Sequence, residues 1–169
     1  MDSALHSYKP QPHEVGPLAA PHTVPGSRGQ TVNAQENVVV SPWNRLDILE
    51  EILTAHAGEI AAVMMEPVLC NSGCLLPRPG FLAAVRELAD RHGALLIFDE
   101  VITGFRVDPG GAQKHFGITP DIATFGKAVA GGGLTTNRVA VTKAVAIKSV
   151  NGPEVTVIQG ADFLRCVYL

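Results

Sequence analysis

Apolar positions in the first 37 residues follow no period. Pro10, Pro12, Pro17, Pro21 and Pro25, set among Gly, His, Ser and Asn, interrupt any helical or alternating pattern, and the stretch reads as loop. Residues 38–40, all valine, form a short apolar run closed by Ser41 and Pro42 and read as a strand edge. From Asn44 the pattern changes: Leu46, Leu49, Ile52 and Leu53 recur at three- and four-residue steps, with Arg45, Asp47, Glu50 and Glu51 between them. That spacing predicts an amphipathic helix. Asn44 is the expected N-cap, Asp47 suits the positive end of the helix dipole, and Gly58 offers a permissive exit.

Residues 60–65 (IAAVMM) are almost continuously apolar and end in Glu66-Pro67, which predicts a strand buried on both faces whose carboxyl end reaches a site. A loop over 67–78 holds Cys70, Asn71, Gly73 and Cys74. A second helix is expected to begin near Pro79 and to run through Phe81, Leu82, Val85 and Leu88 to Gly93. Residues 94–98 (ALLIF) predict another buried strand, delivering Asp99 and Glu100, and residues 122–125 a third apolar run that leads into Gly126-Lys127 and a glycine cluster at 131–133. Strand, helix and strand in quick succession imply a crossover in a mostly parallel sheet, an α/β architecture that places ligands outside the carboxyl ends of the strands. After Leu134 the β-branched runs at 139–141 and 155–158 show no clear helix boundary.

Composition narrows the function classes. With 169 residues the chain suits one domain with a real core. It is 46% hydrophobic and only 17% charged, so much of its surface is expected to be covered by a partner or by further chain. The net charge of −3 comes without any run of Lys or Arg, which argues against nucleic acid or an anionic membrane as partner. The first residues lack a basic region followed by an apolar one, and no run approaches the ~18 apolar residues of a membrane span, so the expected location is the cytoplasm. Cys70, Cys74 and Cys166 are an odd number, and no second Cys or His pair completes a zinc site. They read as reduced thiols, and no metal is expected.

Asp99 at the end of a hydrophobic strand could be a plain helix cap. LLIFDE also suits the strand of a P-loop hydrolase, but GxxxxGK[ST] is missing, and the Gly126-Lys127 pair lies downstream and is followed by Ala128. A lone loop lysine is usually solvated. Lys127, however, sits between an apolar run and glycines, where partial desolvation is expected to favour the neutral amine that imine formation needs.

LLIFDEVITGFRV, with PDIATFGKAVAGGG after a short spacer, resembles the cofactor-lysine signature of class III aminotransferases. Within that class, residues 59–106, from EIAAVMMEPVLCNSGC to DEVITGFR, and the PWNRLDILEEIL segment at 42–53 are most similar to glutamate-1-semialdehyde 2,1-aminomutase and close relatives. The resemblance implies pyridoxal phosphate as cofactor and a partial fold type I large domain, a mostly parallel sheet with flanking helices, over residues 1–134, with a divergent tail over 135–169. It implies that Lys127 is the catalytic lysine and bonds the cofactor, that Asp99 pairs with the pyridine nitrogen and that Val101 packs on the ring. Asn71 would stand near the phenolic oxygen, and Glu66 would hold the site's geometry. The implied reaction is imine chemistry on an amino acid or amino aldehyde, in a homodimer. The family's phosphate-binding Gly/Ser-rich segment and stacking aromatic precede the part that residue 1 resembles, and the stretch after Leu134 departs from the family pattern. The alternative expectation is therefore an inactive remnant or an oligomerisation module of the same family.

Overall fold

The structure is a computed structural model that describes residue 7 and residues 10–27, 29–30 and 34–128. The chain divides into two compact units, Met1–His56 and Ala57–Leu169.

Among the described residues of the first unit the proline-rich stretch is irregular, as expected, apart from a 3-10 turn at Ala34–Asn37 and a bridge at Pro25. Residues 38–40 form no strand. Val38 donates to Gln35 O, and its carbonyl accepts from Thr23 Oγ1 at 3.0 Å. Helix α1 spans Leu46–Ala55 and buries Ile48, Leu49 and Leu53. Asn44 is not its cap. It takes a left-handed φ of +62°, and Arg45 occupies the cap position without a side-chain capping bond of its own. Instead the Arg45 guanidinium grips Asp47 at 2.9 and 2.6 Å and holds its carboxyl down at about 2.

The second unit is built on three parallel strands in the order β1-β2-β3: β1 Ala62–Met65, β2 Leu95–Glu100 and β3 Ile122–Phe125. Met64 pairs with Ile97, Ile97 with Ile122, and Asp99 with Thr124. Between β1 and β2 runs α2, Phe81–His92, which buries Phe81, Leu82, Val85, Leu88 and Ala89 at helical spacing. It begins two residues later than Pro79 predicts, because Gly80, at φ +78°, occupies the cap position and leaves Pro79 outside. Gly93 closes it with an N–H shared between Ala89 O and Asp90 O. The short α3, Gly111–Phe116, lies between β2 and β3 and was not legible in the apolar pattern.

Alternation along β2 decides the layers. Leu96, Phe98 and Glu100 are wholly buried on one face, whereas Leu95 is 47% exposed on the other. Met64 and Ile122, on that same second face, are 58% and 41% exposed. The expectation of strands buried on both faces therefore fails. An apolar run reports that a strand is central, but only the residues stacked on it decide which face is covered.

Candidate functional site

The carboxyl edge of the sheet gathers most of the residues singled out from sequence. β2 ends with Asp99 and Glu100, whose side chains leave on opposite faces, and the two carboxylates have different fates.

Glu100 is fully buried and wholly satisfied by neutral donors. Its Oε2 accepts from Ala112 N at 2.6 Å and Thr103 Oγ1 at 3.0 Å, and its Oε1 from Gln113 N at 2.9 Å and Gln113 Nε2 at 3.2 Å. It caps the first turn of α3 and is no member of an ion pair among the described residues. Gly111, at φ +74°, makes room for this: a Cβ there would collide with the Glu100 carboxylate. The sequence signal was present in Gly110-Gly111 but could not say what needed the space.

Asp99 is half-buried on the open face. Its Oδ1 accepts from Val101 N at 2.9 Å and lies 3.5 Å from Thr124 Oγ1 on the neighbouring strand. Both interactions fall on one oxygen, so the carboxylate is oriented while Oδ2 stays available to a further donor. Val101, two residues on, faces Gly126 across the strand gap, where a Cβ would stand 3.3 Å from Val101 Cγ1. Glycine at 126 keeps that approach loose. Lys127 follows directly, with a left-handed φ of +46°, a backbone state uncommon for residues other than glycine. Lys127 is exposed, so the desolvation expected from its apolar flank is not found. β3 is the last strand in the described sheet, and nothing described lies beyond it to cover the ammonium.

β1 delivers Glu66 to the same edge, since its last residue, Met65, pairs with Phe98. Glu66 Oε1 accepts from Asn71 Nδ2 at 3.0 Å and its Oε2 from Cys70 N at 3.0 Å, so the carboxylate ties down the loop that follows. Asn71 itself is exposed. The structure thus brings together Asp99, Val101 and the Gly126-Lys127 turn, and separately Glu66 with Asn71. Thr124 is the addition that sequence reasoning missed; only the β2-β3 register reveals it. Among the described residues no three His, Cys, Asp or Glu groups are placed to hold a metal ion, and no helix is long and apolar enough to cross a membrane.

The sequence pattern of the family described as aminotransferase class-III matches residues 10–167. Glutamate-1-semialdehyde 2,1-aminomutase of Roseiflexus castenholzii is 50% identical over 119 residues, which are 70% of this chain and 27% of that protein. Among solved structures, an omega-transaminase from Sphaerobacter thermophilus is 36% identical with a TM-score of 0.63, covering 76% of this chain and 28% of its own. A transaminase with PLP bound is 31% identical with a TM-score of 0.64, covering 78% and 29%. The chain spans little more than a quarter of the length of these relatives.

Proposed function

The chain belongs to the class III aminotransferase family, and on that footing we propose that it carries the lysine-bearing half of a pyridoxal-phosphate site for aminotransferase or aminomutase chemistry on an amino acid or amino aldehyde. The observation that carries the reading is the common placement of Asp99 and Val101 at the carboxyl edge of β2, with the Gly126-Lys127 turn arriving from the adjacent strand. When bound, pyridoxal phosphate supplies an electron-withdrawing ring that stabilises the charge left on a substrate carbon. Asp99, oriented by Val101 N–H, would hold the cofactor's ring nitrogen in its charged form. Val101 would offer its methyl groups as an apolar surface for the ring. Lys127 Nζ would be the amine that holds the cofactor and the group that takes and returns a proton at the substrate carbon. Glu66 holds Asn71 through its side-chain amide, and Asn71 would be a further polar contact for the cofactor. A homodimer in the cytoplasm belongs to the same proposal.

The exposed apolar face at Met64, Leu95 and Ile122 favours a second reading, an association module of the same family without turnover. Titration with pyridoxal phosphate, followed by borohydride trapping and peptide mapping, separates the two. The cofactor reading expects saturable trapping at Lys127, lost in Lys127→Ala and weakened at least ~10-fold in Asp99→Ala, a loss of about 1.4 kcal/mol of binding. Labelling spread over many lysines and unchanged in both variants would leave the association module.

A further inference from the structure

The loop between β1 and α2 carries two cysteines that the cofactor chemistry does not use. Leu69 and Leu75 form an isolated antiparallel bridge and exchange both backbone bonds, Leu69 N to Leu75 O at 3.0 Å and Leu75 N to Leu69 O at 3.2 Å. Cys70 and Cys74 stand one step inside that bridge, at the two ends of a tight turn that opens with a 3-10 segment at Cys70–Ser72.

Three further features keep the two cysteines close. Gly73 at φ +101° and Cys74 at φ +55° fold the chain back at the loop's far end. Cys74 Sγ lies 3.9 Å from Cys70 O. Cys70 N is fixed to Glu66 Oε2 at 3.0 Å, so one end of the loop is anchored to the strand end. Both cysteines are free thiols, Cys74 exposed and Cys70 half-buried. Burial, and then a hydrogen bond with the Cys74 thiol, pushes the Cys70 thiol up, which makes it the slower of the pair to attack an outside reagent.

We propose that Cys70 and Cys74 form a reversible thiol–disulfide site whose oxidant is a small-molecule disulfide of the glutathione class. The exposed Cys74 thiolate attacks one sulfur of the oxidant, forming a mixed disulfide and expelling one thiolate. Cys70, as the resolving thiol, then attacks the Cys74 sulfur and expels the second. The protein loses two electrons and two protons, the oxidant becomes two thiols, and a five-residue ring closes over Asn71, Ser72 and Gly73. Ring closure outruns further exchange because Cys74 Sγ already lies 3.9 Å from Cys70 O and the two thiols share a hydrogen bond.

The test uses the full chain in a Cys166→Ser background, incubated with oxidised glutathione and mapped by mass spectrometry without reduction. The expected product is a peptide lighter by two hydrogens, linked between Cys70 and Cys74, resistant to alkylation and restored by dithiothreitol. Amide exchange across residues 70–74 should slow at least ~3-fold in the oxidised form, as expected for a loop whose opening is restrained. Cys70→Ser should instead hold glutathione stably on Cys74. Accumulation of glutathionylated Cys74 in the chain with both cysteines, with Cys70 still open to alkylation, would overturn the proposal. Neither readout involves Lys127 or the cofactor, so a failed trapping experiment leaves this result intact, and the reverse also holds.

Discussion

Single atoms decide the most at the end of β2. Glu100 and Asp99 are adjacent carboxylates in one strand, and alternation alone sends the first into the core and the second to the open face. Glu100 is stable there because four donors surround it. Glu100→Gln turns an amide N–H₂ toward the backbone N–H of Ala112 or of Gln113, which can only donate, so urea denaturation followed by circular dichroism should show a loss of about 1–3 kcal/mol. Gly111→Ala should cost a similar ~2 kcal/mol by the same measurement, since it adds both a clash with that carboxylate and a strained φ. Asp99→Asn should leave the denaturation midpoint nearly unchanged while weakening cofactor trapping, because its partners, Val101 N and Thr124 Oγ1, can still bond an amide.

At the scale of elements, α2 is pinned to the sheet by Arg86, whose guanidinium bonds Asp90 one turn along the helix and reaches Asp121 at 2.7 Å just before β3. The same Asp121 carboxylate accepts Leu96 N at 2.7 Å, so one side chain ties α2, β2 and the entry to β3. Partial burial pushes the Asp121 carboxyl up, but Leu96 N–H and Arg86 outweigh it and hold the group below the usual carboxylate range. The folded-state pKa is therefore lower than the unfolded value of about 3.9. Its stabilisation is complete above that value and is lost as pH falls through the depressed one. Asp121→Asn should flatten the acid limb of the stability–pH curve and cost about 1 kcal/mol at neutral pH, a figure kept small because the side chain is 39% exposed.

For the whole molecule, the consequential feature is the half-covered sheet. Met64, Leu95 and Ile122 present a contiguous apolar strip that a soluble monomer rarely leaves open. Sedimentation at rising concentration should show association, and Leu95→Lys with Ile122→Lys should suppress it while leaving the helical signal in place. A chain that stays monomeric across that range would remove the association-module reading.

The sequence by itself determined the order of the three strands and of α1 and α2, though not α3, and the pairing of a strand-end Asp with a downstream Gly-Lys, because both rest on local periodicity and on residue types fixed in the chain. It marked Asp99 and Lys127, and the family resemblance added Val101, Asn71 and Glu66, whereas the hydrogen bond between Glu66 and Asn71 came only from the structure. Tertiary structure alone decided what depends on neighbours distant in the chain. It assigned Glu100 to capping α3, selected Thr124 through the β2-β3 register and excluded Asn44 from capping α1. It left Lys127 exposed and one sheet face bare. Periodicity records how each segment can fold, whereas burial and hydrogen-bond partners are properties of the surfaces those segments meet.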